Sequence, residues 1–241
     1  MKQYKVKPVK NHRNLNTPEH VAEMVSALRD EEKRLRENPD DMHVSISAGN
    51  RKMGAIPSVS LLPIVTCPAI CSGTCGKDCY ALKTAIVYPS ARKAWARNTA
   101  IALHMPERFF SEIDEYMQNS REFRFHVSGD IPNVSYFDNV VSLCRKNPHC
   151  AVLMFTKRFS FINKWISENG NLPDNLHVLF SGWEGLQPDN PNRLPETDII
   201  PIGTEPEPDA IVCGGNCSNC RCHNTGCWSL SSGNKLYFYL H

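Results

Sequence analysis

The chain is 241 residues long, enough for one sizeable domain or two small ones. With 41% hydrophobic and 22% charged residues it reads as globular and not disordered, and 27 basic against 25 acidic side chains leave a net charge of +2, too near neutral to imply a polyanionic partner. No apolar run approaches the roughly 18 residues that span a bilayer, and the charged start MKQYKVKPVKNHRN has no apolar stretch behind it, so neither a membrane span nor a cleaved secretion signal is expected.

Residues 1–16 lack periodicity and read as an arm. Thr17 followed by Pro18 opens a helix, with Val21, Met24, Val25, Leu28 and Leu35 at helical spacing, and Asn38-Pro39 ends it. The charge-rich stretch 29–37 reads as its solvated face. Strands are expected over 43–47 and 58–62, with a turn at Gly49-Asn50 between them. Ser90 is the expected cap of a helix over 91–104, and Pro106 opens another over 107–118.

Beyond this point strands and helices alternate. A strand over 123–127 leads through Ser-Gly-Asp-Ile-Pro to a helix over 135–146. A strand over 151–155 leads through Thr-Lys-Arg to a helix over 160–168, and a strand over 176–180 ends in Ser-Gly-Trp. Apolar runs over 198–202 and 210–212 follow, with loops over 188–198 and 205–209. The alternation predicts an α/β fold whose mostly parallel sheet curves into a partial barrel. An N-terminal arm and helix (1–42) would precede the core (43–204), and a cysteine-rich tail (205–241) would pack on it. Side chains at the C-terminal ends of the strands would then share one edge, where the active sites of such folds gather.

Nine of the 11 cysteines fall in two windows. The first, CPAICSGTCGKDCY, spaces Cys67, Cys71, Cys75 and Cys79 four apart. The second, CGGNCSNCRCHNTGCW, holds Cys213, Cys217, Cys220, Cys222 and Cys227. Cys144 and Cys150 lie in apolar stretches and read as core. In a reducing cytoplasm, the location expected here, clustered thiols are more often metal ligands than disulfides. The first window lacks the paired C-x2-C knuckles of structural zinc, so an iron–sulfur cluster is favoured, with zinc or unmetallated thiols as alternatives; three or four of its thiolates would be ligands. The second reads as a fully ligated auxiliary cluster held by Cys213, Cys217, Cys220 and Cys227. Cys227 is the preferred fourth ligand because Cys222 is very close to Cys220 for both to bind one centre; Cys222 stays open as the alternative, and His223 is a substitute ligand. A 4Fe-4S cluster at one or both windows is the expected cofactor, with zinc the alternative at the C-terminal site.

His126, Asp130, Thr156, Lys157, Arg158, Ser181 and Trp183 lie at or near strand C-termini. Lys157 and Arg158 present positive charge to a carboxylate or phosphate, or face solvent. His126 is a possible core histidine. Trp183 would stack on a ring or pack on the sheet. The basic segment 83–97 reads as a solvated helix face that could touch phosphates, so nucleic acid is a weakly supported partner.

GNRKMGAIPSVSL, the cysteines ending in DCYA, then HVSGDIP, FTKR, FSGW and a cysteine-rich end closing on Cys-Trp together resemble the phage gene product 88 family over about residues 49–228. That resemblance implies a cytoplasmic metalloprotein of phage or mobile-element type and no particular reaction. A looser similarity is to radical S-adenosylmethionine enzymes, whose cluster loop follows the first barrel strand and whose Gly-Gly-Glu-Pro-like turn follows the second. Here Ser128-Gly129-Asp130-Ile131-Pro132 is in the matching place. The first window has no C-x3-C-x2-C interval, and Asp stands where Glu is usual. The similarity implies that Ser128, Gly129, Asp130 and Trp183 bind S-adenosylmethionine, with Asp130 on the amino group of its methionine and Asp130 and Lys157 as catalytic residues. The expected function is a two-cluster radical enzyme acting on an unidentified small molecule or macromolecule, supplied by an electron donor. The alternatives are an iron–sulfur electron-transfer or sensing protein, and a zinc-stabilised nucleic-acid-binding or regulatory module.

Overall fold

The computed structural model describes residues 14–201, 203–206 and 210–239. Of the arm expected over 1–16 only 14–16 fall within these, and of the loop over 205–209 only Glu205 and Pro206. The helices are α1 (Pro18–Glu37), α2 (Ile70–Gly73), α3 (Tyr80–Val87), α4 (Pro89–His104), α5 (Pro106–Met117), α6 (Val134–Lys146), α7 (Phe159–Asn169) and α8 (Cys217–Cys222). The strands are β1 (Ile46–Ser47), β2 (Ser58–Val59), β3 (Glu122–Phe125), β4 (Ala151–Thr156), β5 (Leu176–Ser181), β6 (Glu196–Ile200), β7 (Ile211–Val212) and β8 (Lys235–Tyr239). They form one sheet in the order β1-β2-β3-β4-β5-β6-β8-β7, parallel throughout except for β1 against β2.

Local chemistry accounts for the helix starts. Thr17 accepts a hydrogen bond from the His20 backbone at 3.3 Å, with Pro18 in the first turn of α1, and Asn133 accepts from the Tyr136 backbone at 2.9 Å to cap α6. The expected cap at Ser90 is displaced: α4 begins at Pro89, whose fixed φ suits the first helical position and needs no N–H partner.

Strand alternation then divides the core in two. Phe123, Phe125, Val152, Met154, Val178 and Phe180 point to one face, where α5, α6 and α7 cover them with Phe109, Ile113, Phe137, Val140, Ile162 and Trp165. Burying each such side chain contributes about 1.5–3 kcal/mol. Ala151, Leu153 and Leu179 point to the other face, where no long helix of the described residues packs on them. They meet Ile56, Trp228 and the side chains of Cys217, Cys220 and Cys227. The C-terminal tail therefore does the work of a helix layer on that side.

That second face is concave. The rings of Phe155 on β4 and Phe238 on β8 are 6.1 Å apart, although β5 and β6 lie between their strands. In a flat sheet three strand spacings would separate them by about 14 Å. The sheet is thus a partial barrel with open edges at β1 and β7, as expected from the βα alternation.

Three expectations change. Glu31, placed by its charge-rich neighbourhood on a solvated face, is only 3% exposed and is held by Arg34 at 2.7 Å and Arg97 at 3.4 Å. The strands expected over 43–47 and 58–62 shorten to two residues each. The tail is more than a metal loop, because β8 inserts between β6 and β7 and completes the sheet.

Candidate metal centres

The segment after β2 crosses the C-terminal ends of the neighbouring strands and is pinned there. The Leu61 N–H donates to the Ser128 carbonyl at 2.9 Å, and the Thr66 hydroxyl donates to the Leu62 carbonyl at 2.9 Å. The Asp130 N–H donates to Thr66 Oγ1 at 3.2 Å, and Arg158 donates to the Thr66 carbonyl at 3.0 Å. The cysteine window starts one residue later. Cys71 lies in α2, Cys75 starts a 3-10 turn over Cys75–Asp78, and Cys79 caps α3, its Sγ accepting from the Leu82 N–H at 3.4 Å. Gly76 is required by close approach, since a Cβ there would lie 2.6 Å from the Cys71 carbonyl oxygen. Residues just before α1 brace the loop from outside: the Leu15 N–H donates to Lys77 O at 2.9 Å and the Asn16 amide to Ser72 O at 2.8 Å.

The four thiols act on one another. Cys71 donates to Cys75, which raises Cys71 and brings Cys75 down to about 7, helped by the Lys157 charge. Burial raises Cys67 and Cys79, and both also feel Cys75. Lys157 acts on Cys71, Cys75 and Cys79, and Asp130 on Cys67 and Cys75. Four thiols, a carboxylate and an ammonium therefore share one site at the ends of β2, β3 and β4.

The side chains named from the strand ends come together here, mostly as braces. Asp130 is buried, and burial raises its pKa against the pull of its hydrogen bonds. Its Oδ1 accepts from the Ile131 N–H at 2.8 Å and the Thr156 hydroxyl at 2.6 Å, and its Oδ2 accepts from the Lys157 N–H at 2.9 Å. Lys157 Nζ donates to Ser181 Oγ and O, each at 2.7 Å, and lies 5.6 Å from the centre of the half-buried Trp183 ring. Asp130 thus ties β3 to β4, and Lys157 ties β4 to β5. Ser128 is buried, with its Oγ unpartnered and its carbonyl on Leu61. His126 is buried at φ +60 with Nε2 3.0 Å from the Tyr136 hydroxyl, a core histidine on the helix-covered side.

Gly129 sits at φ +80, and a Cβ there would meet Thr66 Oγ1 at 2.6 Å, Leu61 Cβ at 2.8 Å and the Leu61 carbonyl oxygen at 2.9 Å. Two of these three neighbours are parts of the Leu61 residue and cannot swing aside. Gly129→Ala is expected to destabilise the chain by about 2–4 kcal/mol, combining the left-handed strain with the clash. Denaturant unfolding checks this, and a loss below about 1 kcal/mol would show that the turn does not hold the cysteine loop.

The second set assembles on the concave face. Cys217 and Cys220 are three apart on α8, Cys213 precedes them, and Cys227 lies in a 3-10 turn over Gly226–Trp228. Cys227, pushed up to about 12 chiefly by burial, feels Cys213, Cys217 and Cys220. Cys222 is exposed, whereas Cys213, Cys217, Cys220 and Cys227 are half-buried. Burial also raises Cys213 and Cys217, while Arg124 opposes the rise at Cys217.

Several supports of this set were not assigned from sequence. Arg124 on β3 reaches Cys217 Sγ at 3.7 Å, Arg221 pairs with Glu122 at 3.4 Å, and His177 packs 6.1 Å from Trp228. GNRKMG is the cradle of α8: Asn50 Oδ1 accepts from the Lys52 and Met53 N–H groups, and the Lys52 and Met53 carbonyls accept from Cys217 N and Ser218 N at 3.0 Å. Strand alternation carried the signal for Arg124, which must point opposite Phe123 and Phe125.

None of the eleven cysteines is in a disulfide. Among the described residues no group of three or more His, Cys, Asp or Glu is arranged to hold a metal ion. An iron–sulfur core takes its thiolates on separate irons, and its sulfides accept hydrogen bonds. The buried, unpartnered Arg124 Nε fits such an acceptor.

No helix of the described residues is long and apolar enough to cross a membrane. No curated protein and no solved structure matches the chain. The family model of Gene product 88 matches residues 22–200, a span running from α1 through β6 that contains the GNRKMG cradle, the first cysteine set and the braced strand ends, and stops short of the second set. With most of its length matched, the chain belongs to the Gene product 88 family.

Proposed function

We propose that the chain is an iron–sulfur protein with two thiolate-held centres on one curved sheet, the first of them the reactive centre of a radical S-adenosylmethionine-like enzyme in a reducing cytoplasm. The observation that carries this reading is the gathering of Cys67, Cys71, Cys75 and Cys79 with Lys157 and Asp130 at the C-terminal ends of β2, β3 and β4. The order of parts supports it: the cysteine loop follows the first parallel strand and Ser-Gly-Asp-Ile-Pro follows the second. A cluster held there by thiolates from Cys67, Cys71, Cys75 and Cys79 would supply an iron for S-adenosylmethionine, if one iron were left without a cysteine, and the electron for its reductive cleavage. The chain's own residues hold the edge rigid through Asp130 and Lys157, place positive charge beside the thiolates, and offer the Trp183 ring as an apolar wall. The second set, half-buried beside Arg124 and Trp228, suits an auxiliary centre.

A second reading, iron–sulfur electron transfer or sensing, is favoured by two observations. Both carboxylate oxygens of Asp130 already carry hydrogen bonds, and all four cysteines of the first window are gathered. The zinc-stabilised nucleic-acid module has less support, since Arg92 and Arg97 are engaged by Glu23 and Glu31.

Oxygen-free purification followed by iron, acid-labile sulfide and zinc analysis tests the reading. We expect a brown protein with sulfide near the iron content. On reduction with S-adenosylmethionine present, deoxyadenosine is expected. Colour without deoxyadenosine selects the electron-transfer reading, and colourless protein with zinc overturns both.

A further inference from the structure

Arg124 is the basic residue of the concave face that lies against the C-terminal cysteines. Its guanidinium carbon lies over the Phe155 ring at 4.8 Å from the centroid, and Nη1 reaches Cys217 Sγ at 3.7 Å. Its neighbour Arg221 is paired with Glu122 and lies over Trp228, so that positive charge is already balanced. Arg124 makes no ion pair with a carboxylate among the described residues, and its Nε is buried without a partner. A cation in such a place is costly unless negative charge or acceptors surround it. The acceptors the structure offers are sulfurs.

We propose that Arg124 is the positioning residue of the C-terminal centre: fixed on Phe155 and reaching Cys217, its guanidinium balances the negative charge of the thiolate set and makes reduction of that centre easier. This rests on the reading that the set holds metal. Arg124 is one of the groups acting on Cys213, Cys217 and Cys227 alike, so its charge addresses the set and not one sulfur. It also acts on Tyr80, whose hydroxyl donates to the Val127 carbonyl and which feels Cys67, Cys79 and Cys217 as well. Adding an electron adds negative charge, which a fixed cation within a low-dielectric site favours. Arg also keeps its charge at any working pH, so the effect is constant.

The test compares Arg124→Gln with Arg124→Lys in the full chain, prepared without oxygen. Iron, sulfide and zinc per chain are measured first, then the midpoint potential of each centre by electron-paramagnetic-resonance titration. Arg124→Gln is expected to keep its metal but to make reduction of the C-terminal centre about tenfold less favourable, about 59 mV for one electron, with a smaller change at the first centre. Arg124→Lys should recover most of this shift, which a purely structural role would not predict. A set that carries zinc overturns the proposal, because zinc has no reduction for Arg124 to ease. Metal retained with no difference between the Gln and Lys variants overturns the proposal alone. A wild-type chain without metal at Cys213–Cys227 overturns the underlying reading, and the proposal with it.

Discussion

Replacing Cys75 by Ser is expected to strip the first centre of iron while leaving the second loaded. Cys75 is the hub of the first set: Cys71 donates to it, Lys157 acts on it, and its thiol is brought down to about 7 while its neighbours are raised. It is the thiol most ready to serve as a ligand at neutral pH, and a serine hydroxyl is a hard, weakly acidic replacement for it. Loss of an outer hydrogen-bond partner of a metal ligand weakens retention by about 10- to 100-fold, so loss of the ligand itself should exceed that range. Iron per chain should fall by about half, on a two-cluster count, and the visible band should fall with it. Cys144→Ala is the control. Cys144 is buried in the helix-covered core and is raised to about 12 by burial, so its loss should cost about 1 kcal/mol of stability and no iron. Equal iron in wild type and Cys75→Ser would remove the first window from the metal-binding chemistry.

The second large effect lies away from the cysteines. His126 is buried against Tyr136 and Phe125, and burial lowers its pKa from 6.5 to about 3. In the unfolded chain the imidazole takes up a proton near pH 6.5, whereas in the folded chain it stays neutral until about pH 3. The unfolded state therefore binds more protons throughout that window, and stability must fall as pH is lowered through it. One group shifted this far should withdraw about 3 kcal/mol between pH 7 and pH 4. Asparagine tolerates the positive φ of +60 at this position and does not titrate, so His126→Asn is the matched comparison. The variant should start less stable at pH 7, because the ring packing is lost, yet lose about 3 kcal/mol less than wild type on acidification. Parallel pH dependences in denaturant unfolding would show that His126 charges in the folded state.

The electrostatics of the two cysteine sets share a physical logic. Burial raises Cys67 and Cys79 in the first set and Cys213, Cys217 and Cys227 in the second. Each also has a basic side chain directed at it, Lys157 at the first and Arg124 at the second. Lys157 is fastened by Ser181 and Arg124 rests on Phe155, so both charges are fixed. Charges held in place need little reorganisation when a cluster changes its own charge.

Much of this arrangement was legible in the sequence because it is written in local chemistry. The Thr17-Pro18 start, the βα alternation from residue 122 onward, and the spacing that picks out Cys213, Cys217, Cys220 and Cys227 all depend on residues within a few positions of one another. The short α3, the cradling of α8 by GNRKMG and the insertion of β8 between β6 and β7 did not follow from spacing. Lys235–Tyr239 carries no strand expectation in its sequence, and its neighbours are chosen by long-range pairing, which leaves no local mark. The same holds for the charged residues. Glu31 reads as solvated in a run of charges and becomes buried only because Arg97 arrives from α4, and Thr156 and Lys157, the partners of Asp130, lie 26 and 27 residues further along the chain. The amino-acid sequence by itself determined the long helices and the alternating strands of the core. Only the tertiary structure decided which face the second set covers and which cation meets which sulfur, because side-chain chemistry is inherited from the residue whereas burial and partners are properties of the packed whole.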